Sequence, residues 1–135
     1  MNGRGRRAHF LVAAAGGAGR FGLRLTRTSA LLASAAELAG DSRTRRRGLL
    51  GRARLEPGEA LVIAPTQGIH TFGMRFAIDV VFVDRRGRVV AIADAVPPWR
   101  CRFSWRAFAA VELPAGSCRA AGLVAGDELD VLPLG

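Results

Sequence analysis

Lysine and tyrosine are absent from this chain of 135 residues, and cysteine, histidine, methionine and tryptophan each occur only twice. Two cysteines are too few for a disulfide-dense miniprotein. There is no uninterrupted apolar run long enough for a spanning helix, so no transmembrane segment is expected. The glycine-rich stretch Gly16-Gly17-Ala18-Gly19 lacks the Gly-Lys-Ser/Thr ending of a phosphate loop. A Gly-x-Ser-x-Gly nucleophile elbow, a His-x-x-x-His pair and a Cys-x-x-Cys pair are also missing. No internal repeat or low-complexity linker divides the chain, and its length suits one modest core.

Basic charge, by contrast, is plentiful and uneven. All 20 basic residues are arginine, against 11 acids, which gives a formal net charge of +9. Residues 1–54 hold twelve arginines against Glu37 and Asp41 alone, whereas residues 55–135 hold eight arginines against nine acids. The densest run is Arg43, Arg45, Arg46 and Arg47. Such a run attracts an acidic partner, nucleic acid or an anionic membrane, or else forms a solvated basic face. No aromatic residues are interleaved with it, so no stacking platform for bases accompanies the charge there.

The start of the chain has two readings. Arg6-Arg7 ahead of the apolar stretch from His9 to Gly19 resembles a twin-arginine or secretory signal, but Arg20, Arg24 and Arg27 close it early. Residues 1–20 are therefore read as a basic leader, and residues 21–135 as one β-rich domain. Cytoplasmic localisation with two free thiols, Cys101 and Cys118, is the primary expectation. Export, with those cysteines bridged, is the alternative.

From Phe21 the pattern alternates at period two, a strand signature with Phe21, Leu23 and Leu25 on one face. Ser29 to Ala39 is rich in Ala and Leu and predicts a helix capped by Thr28 or Ser29. Asp41 predicts a second helical turn through the arginine run, stopped at Gly48 or Gly51. Thereafter short strands alternate with turns. Ala60–Ala64, Gly68–Phe76, Ile78–Asp84, Arg88–Ala93, Ala109–Leu113 and Glu128–Leu132 are the strand candidates. Asp84-Arg-Arg-Gly87 is a hairpin turn. Trp99–Phe103 follows Pro97-Pro98 and reads as a loop or edge strand. About seven short strands argue for a mainly β fold, a compact sandwich or barrel with one or two short N-terminal helices.

The segment His70-Thr-Phe-Gly-Met74-Arg-Phe-Ala-Ile-Asp79-Val-Val-Phe-Val-Asp84 is similar to the central motif of the domain of unknown function 192 family. Three flanking elements agree: Gly48-Leu-Leu-Gly-Arg52, Pro97-Pro-Trp-Arg100, and Val111-Glu-Leu-Pro-Ala-Gly116 with Gly122-Leu-Val-Ala-Gly-Asp127. The resemblance spans roughly residues 21–132. It implies a jelly-roll-like all-β domain common in bacteria and archaea, and it implies no activity. Gly73 and Ala77 depart from the large aromatic and the proline usual in the family, which enlarges the space beside Met74 and loosens the turn before Ile78.

Six residues are candidates for a site: His70, Met74, Arg75, Asp79, Trp99 and Arg100. An extended segment would put His70 and Met74 on one side, a pair suited to a soft metal only if Cys101 or Cys118 joined it; packing in the core is the plainer role for Met74. A buried Asp79 needs a partner, either Arg75 or His70, or backbone N–H groups at a bend. Trp99 and Arg100 suit contact with a ligand or partner, or cover an open end of the sheet. The expected function is a non-enzymatic binding module for a small ligand or protein, with no cofactor and a cleft formed by these six. The rivals are a hydrolase or metal-dependent enzyme using Asp79 and His70, and an arginine-driven nucleic-acid or membrane module.

Overall fold

The computed structural model describes residues 19–39, 49 and 51–133. Nine strands appear among them. They are β1 (Arg20–Leu25), β2 (Leu31–Ala39), β3 (Glu59–Ile63), β4 (Gly68–His70), β5 (Ile78–Val83), β6 (Val89–Val96), β7 (Cys101–Phe103), β8 (Ala109–Pro114) and β9 (Leu129–Pro133). One short helix, α1 (Ser117–Ala121), precedes β9.

Seven strands form one sheet in the order β6-β5-β8-β3-β2-β1-β9, and β4 and β7 make a separate two-stranded ribbon. Every pair in the large sheet is antiparallel except β2 with β3, which run parallel. The sheet curls into a half-barrel. Its two edges meet at one corner, where Arg88 bridges Glu128 and the Val89 N–H donates to the Asp127 carbonyl at 2.8 Å. A second tie sits nearby. Arg27 grips Asp127 through Nε at 2.6 Å and Nη2 at 3.1 Å, fastening the β1–β2 turn to the turn before β9.

Alternation along the strands builds two cores. On one face, Phe21, Leu23, Val62, Val81, Val83, Val111 and Leu113 pack together with Cys118 of α1. On the other side, Leu61, Ile63, Ile78, Val80, Phe82 and Ala110 pack beneath Met74 and Ile69, so the β4–β7 ribbon and its loops roof this second core. All six residues of β5 are buried, as a central strand of β-branched and aromatic residues should be.

The helix expected over residues 29–39 is instead β2. Its alanines have high helix propensity, but β2 lies between β1 and β3, and small side chains fit a strand packed against both neighbours. The expected second helical turn lies outside the described residues. The strand expected over residues 68–76 stops at His70, because Thr71 to Arg75 form a turn in which the Met74 N–H donates to the Thr71 carbonyl. Among the described residues, the only helix lies late in the chain rather than near its start. No described helix is long and apolar enough to cross a membrane.

Candidate functional site

Asp79 is fully buried and faces the first core, in step with Val81 and Val83. Opposite it, β6 carries an irregularity: Ile78 pairs with Val96 and Val80 with Ala93, so Asp94 and Ala95 face one residue. Ala95 sits there at a left-handed φ of 48°, and its N–H donates to Asp79 Oδ1 at 2.8 Å. The other carboxylate oxygen accepts from Gly116 N–H at 3.1 Å and Cys118 N–H at 2.9 Å. Gly116 holds a φ of 94°, which glycine adopts without strain. One side chain thus ties the β6 bulge, the end of β8 and the start of α1.

Asp79, Asp94 and Cys118 bring their ligand atoms within 4.8 Å of one another and are the described residues able to surround a metal ion. A cation there would share Asp79 with the three amides that already hold its carboxylate. Burial, helped by the nearby Asp79 carboxylate, pushes the Cys118 thiol far above its usual range, so it stays protonated. Cys101 is exposed on the ribbon, and neither cysteine is bridged. A disulfide reagent should therefore titrate one thiol in the native protein, Cys101, and both only after denaturation. Two fast thiols in the native state would contradict the burial of Cys118.

The ribbon carries a different chemistry. In β4 and β7, Gly68 pairs with Phe103, Ile69 with Arg102, and His70 with Cys101. Ile69 points into the second core, so the alternate residues His70, Cys101 and Phe103 face outward. The Phe103 ring lies so close across Gly68 that a Cβ at that position would sit 3.2 Å from it. Beyond the His70 end, Thr71 knots two loops together. Its buried hydroxyl donates to the Pro97 carbonyl at 2.7 Å and accepts from Arg100 N–H at 2.9 Å. This knot presents Phe72 and Trp99 side by side, with ring centroids 5.9 Å apart, and the His70 ring lies 5.2 Å from Phe72. At the other end of the ribbon, Gln67 Nε2 donates to the Trp105 carbonyl at 2.7 Å.

Of the six expected site residues, His70, Trp99 and Arg100 come together on this surface. Met74 does not: it is 7% exposed and lies in the second core, because the turn at Thr71 breaks the alternation that would have kept it beside His70. Asp79 lies on the opposite face of the sheet from Met74, and its hydrogen bonds go to backbone amides rather than to Arg75 or His70. Arg75 is exposed in the β4–β5 loop. His70 Nδ1 accepts from Phe72 N–H at 3.2 Å, within its own turn. The single cleft expected from the sequence is thus divided among three places. The Arg43–Arg47 run lies outside the described residues.

Two residues escaped sequence reasoning. Thr71, which organises the ribbon loops, carries no local signal beyond a hydroxyl in an apolar stretch. Glu112 is 3% exposed, lies between Leu61 and Val80 on the side of the second core, and its Oε1 has no hydrogen-bond partner. Burial raises its carboxyl to about 7, against a smaller opposing pull from Arg52. A lone Glu within the apolar run of β8 was the available signal.

A mainly β half-barrel, roofed by an aromatic ribbon and stapled by a buried aspartate, defines the class of this molecule. The chain belongs to the DUF192 family ("Uncharacterized ACR"), whose model matches residues 23–131. Two crystal structures share the fold. One is a "putative transcription regulator" from Sinorhizobium meliloti, 21% identical, with a TM-score of 0.75, covering 85% of this chain and 95% of that one. The other is a protein of unknown function from Novosphingobium aromaticivorans, also 21% identical, with a TM-score of 0.71 and coverage of 82% and 83%. No curated protein matches at a significant level.

Proposed function

We propose that the protein is a non-enzymatic binding module whose contact surface is the outer face of the β4–β7 ribbon and its flanking loops. One observation carries this reading. Of six large hydrophobic side chains exposed among the described residues, four (Phe72, Trp99, Phe103 and Trp105) lie on this one feature. Scattered apolar residues on a surface are ordinary, but a gathered aromatic set is a contact patch. His70 and Arg100 complete it. The catalytic alternative lacks a comparable feature, because Asp79 and His70 lie on different faces. The Sinorhizobium neighbour's description belongs to that protein, and the fold likeness carries no ligand across. A reducing compartment, the cytoplasm, suits an exposed Cys101 at the centre of the patch.

The test is a probe array of single-stranded oligonucleotides, oligosaccharides and peptides, read with the wild type and with a Phe72→Ser/Trp99→Ser double variant. The wild type should retain at least one class that the double variant loses, while both melt within a few degrees of each other. Binding that survives the double substitution, or no retained class at all, would refute the assignment of this surface.

A further inference from the structure

The structure assigns single-stranded nucleic acid as the ligand of this surface; the inference rests on the binding reading above and names its ligand class. Two features together carry it. The first is the row of rings. Along the ribbon, Trp105 and Phe103 lie at one end and His70, Phe72 and Trp99 at the other. Phe103 and Cys101 are two residues apart in β7, roughly 7 Å at strand rise, so the row is long enough for two or three stacked bases. Trp99 and Trp105 are 65% and 79% exposed, which leaves ring faces open to a ligand.

The second feature is a groove lined in part by Arg106, the residue that follows Trp105 in the chain. Its volume is about 340 Å³, and Arg85, Arg86, Arg106, Asp84, Ala107 and Phe108 line it. All three guanidinium side chains are exposed, and Arg85 Cζ sits 4.8 Å from the Phe108 ring centroid, which holds that arginine in place. The one acid, Asp84, is engaged in its own turn, where Oδ1 accepts from the N–H groups of Arg86 and Arg88. Three guanidinium groups against one carboxylate leave the groove net positive. The salt bridges among described residues take Arg20, Arg24, Arg27 and Arg54, and none takes Arg85, Arg86, Arg100, Arg102 or Arg106. Open ring faces next to unpaired guanidinium groups match a strand that offers bases on one side and phosphates on the other. Neutral sugars would use the rings and leave the groove idle. A duplex hides its base faces and would use only the groove.

Nature placed a reporter in the patch: both tryptophans of the chain lie on it. The experiment titrates the full chain with a 15-nucleotide oligodeoxythymidine at about 50 mM salt, following anisotropy of the labelled strand and tryptophan emission together. Binding should quench the emission, and a duplex of equal length should bind more weakly. Trp99→Ala and Trp105→Ala should each weaken binding about tenfold, with Trp99→Phe restoring most of it. Replacing Arg85, Arg86 and Arg106 by Gln should flatten the salt dependence by a slope of about 2. A melting curve on each variant confirms the fold, and the Trp99→Phe rescue separates lost stacking from lost structure.

Absence of binding, unchanged tryptophan emission on binding, or equal affinity for the duplex would overturn the inference. So would a result in which substituting Arg43, Arg45, Arg46 and Arg47 abolishes binding while the tryptophan variants leave it intact. If oligonucleotides fail but a glycan or peptide from the array binds through Phe72 and Trp99, the ligand class falls and the contact surface stands.

Discussion

Asp79→Ala should cost about 3–5 kcal/mol of folding stability, the largest effect expected of any single polar substitution in this molecule. The carboxylate is fully buried and satisfies three backbone N–H groups, from Ala95, Gly116 and Cys118. Alanine leaves all three without that acceptor, the Cys118 amide in a buried position and the other two partly buried, and an orphaned buried amide costs about 1–3 kcal/mol. Asp79→Asn should recover little, because one amide nitrogen would then face N–H donors. The loss has a local signature. With α1 no longer tied to β5, Cys118 should become reactive toward thiol reagents well below the global unfolding midpoint. Urea denaturation with parallel thiol titration measures both quantities. A loss smaller than about 1 kcal/mol would show that Asp79 is not the staple described here.

Glu112 should make stability fall as pH rises from about 4.5 to about 7, by about 3 kcal/mol in all. The sign follows from where protons sit. Below pH 4.5 the carboxyl is protonated in both folded and unfolded chains, and its contribution is constant. Between 4.5 and 7 the unfolded chain releases the proton while burial makes the native chain keep it, so unfolding is favoured increasingly. Above 7 both states are ionised and the curve flattens. Glu112→Gln keeps the shape and removes the titration, so the slope in this window should vanish. Chemical denaturation at half-unit pH steps, for both proteins, checks it; parallel curves would refute the assignment. Asp127 acts oppositely. Arg27 holds its carboxyl below the ordinary value, so its stabilisation is present above that value and is lost as acid protonates it.

Local pattern revealed strands whose side chains declare themselves. β5 and β8 are dense in buried apolar residues, and the Asp84–Gly87 hairpin carries Asp and Gly at its turn positions. β2 was hidden because its alanines favour helix on local grounds, and only the neighbours supplied by β1 and the parallel β3 decide otherwise. The site was legible in part for the same reason. His70, Trp99 and Arg100 lie in segments that Thr71 joins, and their exposure follows from the prolines and turns around them. The grouping of Met74 with His70 assumed an unbroken strand over residues 68–76, whereas the Thr71–Arg75 turn breaks that alternation. The partners of Asp79 lie 16, 37 and 39 residues away in sequence, beyond the reach of any local spacing rule. Glu112 was visible as a residue, yet its isolation depends on Leu61 and Val80 from two other strands.

The corner where Arg88 meets Glu128 also sets an order in time. Among the described strands β9 comes last in sequence, yet it is the partner of β1, the first of them, and its turn meets the start of β6 at the seam. During synthesis on the ribosome the sheet can assemble up to β8, but its rim stays open, with the β1 edge bare, until β9 emerges. That interval is when an exposed edge can pair with another chain. Late truncation should therefore harm this molecule through aggregation of nascent chains more than through loss of any side chain that β9 contributes.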